Sequence, residues 1–234
     1  MSFESCKAAS VDESIVQQHR AATLPFEREL KSHCRTPVGP YLRPFSANRD
    51  WKTASVFIIG DNPATPLRDE FDGFDAYWTA LTEDIEAFRE RYAAKHSGRT
   101  SKTTARVQHL ASFIGKEHCL VTNSCWVPAT SPRQITRAER RRDEGQLKAL
   151  IKFCRPKVIL LHGSKAVRFA GTAYGLRLDP FEAPAQQDYV VKGMRLFAYP
   201  HFSGLGVPGG KTFQPDVDFP VFAMRIRECL ATAL

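Results

Sequence analysis

The sequence predicts an α/β fold of three layers, α/β/α, with helices on both faces of a central four-stranded parallel sheet. Four short apolar runs each end in glycine or a polar turn: SVFIIG at 55–60, HCLVTNSC at 118–125, VILLHG at 158–163 and MRLFAYPH at 194–201. SVFIIG is continuously apolar rather than alternating, the sign of a strand covered on both faces. Helical patterns stand between them, and strand–helix alternation argues for parallel strands joined by crossovers. The 234 residues, 43% of them hydrophobic, suffice for one sizeable core. A single domain over 1–234 follows, with a helical and irregular N-terminal arm at about 1–54.

Taken in order, residues 12–33 carry a helical pattern through Ile15, Val16, Ala21, Leu24, Phe26 and Leu30. Pro25 interrupts it, so the segment is one helix or two shorter ones. CRTPVGPYLRPFSANRDW is rich in proline and turn residues and reads as a long irregular arm. After the first strand, residues 74–96 form one long helical pattern through Phe74, Tyr77, Trp78, Leu81, Ile85, Phe88 and Tyr92. SGRTSKTTAR is a polar basic loop, and a short helix at 104–114 leads to the second strand. Thr136 and Glu139 are spaced as a capping box, opening a helix that runs to about Cys154. SKAVRFAG is a short helix after the third strand, and PDVDFPVFAMRIRECLATA closes the chain as a helix.

The formal net charge is +8. Such a charge describes either a well-solvated surface or a surface for an anionic partner, nucleic acid before membrane. No apolar run approaches the roughly 18 residues of a membrane span. MSFESCKAASVDES has no stretch that can serve as a signal peptide, so a cytoplasmic, membrane-free protein is expected. The six cysteines are Cys6, Cys34, Cys119, Cys125, Cys154 and Cys229, with no C-x-x-C pair. They suggest neither a disulfide framework nor a metal site, and read mostly as buried thiols.

Ligands of open parallel sheets sit at the carboxyl ends of the strands. The first strand ends in Gly60, Asp61, Asn62, Pro63 and Ala64, which as turn chemistry is an ordinary strand-to-helix loop. The last ends in His201, Phe202, Ser203, Gly204, Leu205 and Gly206. There a histidine and a serine leave an apolar strand for a glycine-rich loop. Leu205 at its tip is either folded onto the core or a wedge of the kind that unstacks bases. GVPGGKT at 206–212 echoes a phosphate loop, but that pattern needs glycine where Leu205 stands. Lys211 is then a phosphate contact or plain surface.

These two segments, at opposite ends of a four-strand chain, resemble the motifs of the uracil-DNA glycosylase superfamily. Its first motif is a strand followed by G-x-[D/N]-P or G-E-x-P. Its last is H-P-S or N-P-S, followed by a loop with a bulky wedge. Asn62 falls where mismatch-specific and single-strand-selective members carry a catalytic Asn, and Asp61 where iron–sulfur members carry a catalytic Glu. Ser203-Gly204-Leu205 matches the S-G-L of the mismatch-specific form, and His201 the histidine of the others. TNSCWVPATSPRQIT at 122–136 is similar to the iron–sulfur members' T-N stretch, and RPKVILLHGSKA at 155–166 to their following strand and turn. The resemblance covers roughly 55–230. Val127 stands where a cluster cysteine would, Phe202 where the usual proline would, and Ala64 where glycine is common.

The resemblance implies excision of uracil or a related damaged base from single-stranded or duplex DNA, by a monomer without a cofactor or metal. Asn62, or alternatively Asp61, would hold the attacking water. Asn123 would read the base edge, Gly60 and Pro63 would shape the pocket, and Phe71 or Phe74 would stack on the base. His201 would donate to the departing base oxygen. Ser203, Ser164, Gly204 and Lys211 would meet phosphates, while Leu205 fills the gap left by the flipped base. Arg99, Lys102, Arg106, Arg137, Arg140, Arg141 and Arg142 can track the DNA backbone, though Arg140 to Arg142 read equally as a solvated helix face. A non-catalytic nucleic-acid-binding module on the same fold is the alternative.

Overall fold

The computed structural model describes residues 13–47 and 51–232. Cys6 and the rest of the opening segment lie outside them, as do residues 48–50 of the arm.

In chain order the strands are β1 (Phe45–Ala47), β2 (Val56–Gly60), β3 (Cys119–Asn123), β4 (Val158–His162), β5 (Tyr189–Val191) and β6 (Met194–Tyr199). They form one sheet in the order β1-β3-β2-β4-β6-β5. The four expected strands are its parallel centre. The expected four-stranded parallel sheet is nevertheless corrected to a six-stranded mixed sheet, because β1 and β5 add antiparallel edges. Both edges are only three residues long, too short to stand out as strands in the sequence. β1 lies in the proline-rich arm, fixed where the Thr122 hydroxyl donates to the Pro44 carbonyl at 2.5 Å. β5 turns into β6 through Lys192 and Gly193, with φ of 49° and 78°. Two positive-φ residues make a tight hairpin, but Lys-Gly is a weaker signal of one than Asn-Gly.

The described residues hold seven helices: α1 (Glu13–Cys34), α2 (Phe74–Thr82), α3 (Ile85–Lys95), α4 (Lys102–Ile114), α5 (Arg137–Cys154), α6 (Ser164–Tyr174) and α7 (Pro215–Ala231). Alternate strand residues sort them into layers. Phe57, Ile59, Leu120 and Leu161 face a core built with α1, α2, α3, α5 and α6. Val56, Ile58, Val158 and Leu160 face a smaller core built with α4 and α7. α1 is continuous because Pro25 is exposed, so water can satisfy the carbonyl that the proline leaves free. The arm belongs to the main core through Leu30, Cys34, Tyr41, Leu42 and Trp51. The single helical pattern at 74–96 is broken where the Asp84 side chain accepts from the Ala87 amide at 3.1 Å and starts α3. The Thr136–Glu139 capping box opens α5 as its spacing predicts.

Candidate active site

Parallel register brings four strand ends side by side. Gly60 pairs with Asn123, Ile59 with Leu161, and His162 with Tyr199, so Asn123, Gly60, His162 and Tyr199 form one row. Strand alternation points this row toward the α4–α7 layer, because Val56, Ile58, Cys119, Val158, Leu160 and Tyr199 all belong to that core.

Gly60 is the floor of the row. A Cβ there would stand 2.9 Å from Asn123 Oδ1 and 3.0 Å from both Cε1 and Nε2 of His162. Only a glycine therefore lets this amide and this imidazole close in on the same point. His162 is only 3% exposed and stacks flat on Phe202, with ring centroids 4.0 Å apart and planes 9° apart. Burial, with a smaller contribution from His201, lowers its pKa to about 3, so the ring is neutral. Its Nδ1 is buried without a hydrogen-bond partner.

His201 stands next along the edge, its ring centroid 5.5 Å from that of His162. The Ser203 amide donates to His201 Nδ1 at 3.2 Å, and the Ser203 hydroxyl lies 2.6 Å from the same nitrogen. The Leu205 amide in turn donates to that hydroxyl oxygen at 3.2 Å. Nδ1 is thus an acceptor, and the neutral ring carries its proton on Nε2. Burial holds the His201 pKa below the ordinary imidazole value, against the opposing pull of Asp61. Gly204, at φ 79°, closes the turn with its amide on the His201 carbonyl at 2.8 Å. Leu205 projects from it 78% exposed.

Asp61 turns to the other side of the sheet. Its Oδ1 accepts from the amides of Lys165 and Ala166 at 3.0 and 2.9 Å, capping the start of α6. A Cβ at Gly163 would meet that oxygen at 2.7 Å and His201 Cδ2 at 2.9 Å, so the two side chains share the space beside Gly163. The α6 amides beside Ser164 are therefore already engaged. Asn62 Nδ2 donates to the carbonyls of Pro63 at 3.0 Å and Ala129 at 3.1 Å. That pins the amide to both strand-end loops and leaves Oδ1 as its free acceptor.

The structure brings Gly60, Asn123, His162, His201 and Asp61 together. It does not bring Phe71 or Phe74 to them. Both are buried in the core on the opposite side of the sheet. Arg91 lies 5.0 Å from the Phe71 centroid and Arg35 lies 4.9 Å from that of Phe74. Lys211 lies over Phe181, 5.6 Å from its centroid. The glycine-rich loop around it leads into no helix before Pro215, unlike a phosphate loop.

Sequence reasoning missed His162 and Phe202 as its stacking partner, and it read Arg106 only as a contact to the DNA backbone. Arg106 Nη1 donates to the Phe202 carbonyl at 2.5 Å, and its guanidinium lies 4.9 Å from the Phe213 centroid, so it braces the His201 loop. The signal for His162 was present: it ends an otherwise apolar strand, as His201 follows one. Asp143 was also missed. Fully buried, it accepts from the Trp126 amide at 2.7 Å and Arg142 Nε at 2.8 Å, anchoring the loop after β3. Among the described residues no helix is long and apolar enough to cross a membrane, and no group of three or more potential ligands can hold a metal ion.

No protein-family model matches the chain, and no curated protein matches it.

Proposed function

We propose that the protein is a DNA glycosylase of the uracil-DNA glycosylase type, hydrolysing the N-glycosidic bond of uracil or a related damaged base flipped out of DNA. The observation that carries this reading is the strand-end row, where Asn123 and His162 converge on Gly60 and His201 stands beside them. It is a small, preorganised set of donors and acceptors at the edge where such sheets bind ligands.

Excision breaks the bond between the sugar C1′ and the base nitrogen, and the electron pair leaves with the base. A fixed, neutral His201 offers Nε2–H to the base oxygen on which that charge collects, with no reorganisation at the moment of reaction. A water adds to C1′ and releases its proton to solvent or to the departing base. Asn62 suits the task of holding this water, because its Nδ2 is tied to two carbonyls and Oδ1 can accept. Asp61 suits it less well, because its carboxylate caps α6. Leu205, exposed at the tip of its loop, would enter the gap left in a duplex. On this reading the protein works as a cytoplasmic monomer without a cofactor.

One observation favours a second reading, a nucleic-acid-binding module without turnover: Phe71 and Phe74 offer the site no stacking face. Uracil-containing single-stranded and duplex DNA, incubated with the protein and then treated with alkali, separates the two. Scission at the uracil supports the glycosylase, and a gel shift without scission supports the binding module.

A further inference from the structure

We infer that His162 is a specificity-determining residue of this pocket, reading with Asn123 the adjoining N–H and C=O of a planar lactam base seated over Gly60. The inference rests on the glycosylase reading and names the part of the base that its pocket recognises.

A polar ring at the end of the Val158–His162 strand needs a reason. The four residues before it are apolar and buried, and an aliphatic side chain would pack on Phe202 equally well. A buried nitrogen without a partner is costly and rare. His162 carries one at Nδ1. An orphaned N–H is rarer than an orphaned acceptor, so the proton belongs on Nε2. Nε2 is also the nitrogen that approaches the point over Gly60, at 3.0 Å. The stack on Phe202 fixes the ring plane and hence the direction of this donor.

Asn123 brings its Oδ1 to within 2.9 Å of the same point. The floor thus presents an acceptor and a donor side by side. A lactam edge is their complement: its N–H donates to Asn123 Oδ1, and its neighbouring carbonyl accepts from His162 Nε2–H. The corresponding edge of cytosine, a ring-nitrogen acceptor beside an amine donor, reverses both partners. A site built from fixed polar groups rejects such a reversal because its own groups are left unpaired.

The test has two arms. In the first, the full chain carrying ¹⁵N-labelled histidine is titrated with free uracil, with free cytosine as control. Uracil should move the His162 side-chain resonances, and cytosine should not. A response at His201 with His162 unmoved would overturn the inference. In the second arm, single-turnover uracil excision is compared for the wild type, His162→Phe and His162→Gln. Phenylalanine keeps the stack without the nitrogens, and excision should fall by about tenfold to a hundredfold, the scale of one lost buried hydrogen bond. Glutamine restores a donor and should recover part of the loss. Wild-type excision by His162→Phe, with wild-type rejection of cytosine, sinks the role of His162 and leaves the glycosylase standing. No excision by the wild type, with the His162 shift present, sinks the glycosylase and leaves the lactam site standing. The titration uses wild-type protein and so decides the matter even where a variant fails to fold.

Discussion

Gly60→Ala probes the floor of the site with one methyl group. The new Cβ would lie 2.9 Å from Asn123 Oδ1 and 3.0 Å from His162, about half an ångström inside ordinary contact at 3.4 Å. Gly60 does not have the positive φ that would itself strain an alanine. The cost therefore lies in moving the amide and the imidazole. Asn123 is half-buried and can swing, while His162 is held between Phe202 and the strand. Overpacking of this kind costs about 1–3 kcal/mol, offset by about 0.4–1 kcal/mol from a less flexible unfolded chain. A net loss of about 1 kcal/mol lowers the melting temperature by about 2–4 °C for a chain of this size. Activity should suffer far more. Displacing positioned groups by a fraction of an ångström should lower single-turnover excision by on the order of a hundredfold. Calorimetry and a base-release time course on the same preparation check both numbers. Wild-type excision with an unchanged melting temperature would refute the convergence over Gly60. A melting temperature more than about 10 °C lower, with activity tracking the folded fraction, would make Gly60 a packing glycine and not a pocket floor.

Asn62→Ala should lower excision by about a hundredfold and stability by about 1–2 kcal/mol, because two loop carbonyls lose their donor. If Asp61→Ala cripples excision while Asn62→Ala is mild, the water is held by the carboxylate. Leu205→Ala should leave the melting temperature unchanged and slow excision from duplex more than from single strands, and equal slowing on both would end its role as a wedge. For His201 the neutral ring is the working form and its pKa is depressed, so the single-turnover rate should be flat from about pH 6.5 to 8 and fall only on further acidification. A rate that climbs as the pH drops through 6.5 would assign the chemistry to the protonated ring. Burial alone would raise the Asp143 pKa, but the His33 ring 3.4 Å away, the Arg142 guanidinium and the Trp126 amide lower it on balance. Its stabilisation is present above the ordinary carboxylate value of about 3.9 and is lost as the pH falls through the lower folded value. Asp143→Asn should cost about 3 kcal/mol in urea unfolding at neutral pH and flatten the acid limb, and an unchanged limb would place acid sensitivity elsewhere.

The parallel centre of the sheet was legible because strands buried on both faces leave continuous apolar runs. The antiparallel edges were not: β1 and β5 owe their pairing to neighbours rather than to their own pattern. Similarly, the break at Asp84 interrupts a helical periodicity that continues on both sides of it. The positions of Gly60, Asn123 and His201 at neighbouring strand ends were legible because turn residues mark where the apolar strands stop. His162 was hidden in VILLHG, where a histidine reads as the end of a core strand until Phe202 and the glycine floor are seen around it. Phe71 and Phe74 were singled out by spacing alone. Their distance along the chain suits a stacking ring, but sequence spacing does not say on which side of a sheet a ring is buried, and both lie in the core opposite Asn123.

Glycosylase activity is read from chromatographic measurement of free base released from uracil-containing DNA, with protein in excess over DNA and abasic sites counted in the same sample. Free uracil and abasic sites should appear in equal amounts, with both lost together in His201→Ala while DNA affinity is retained. Full binding of the same DNA with neither product above the protein-free control would contradict the glycosylase reading.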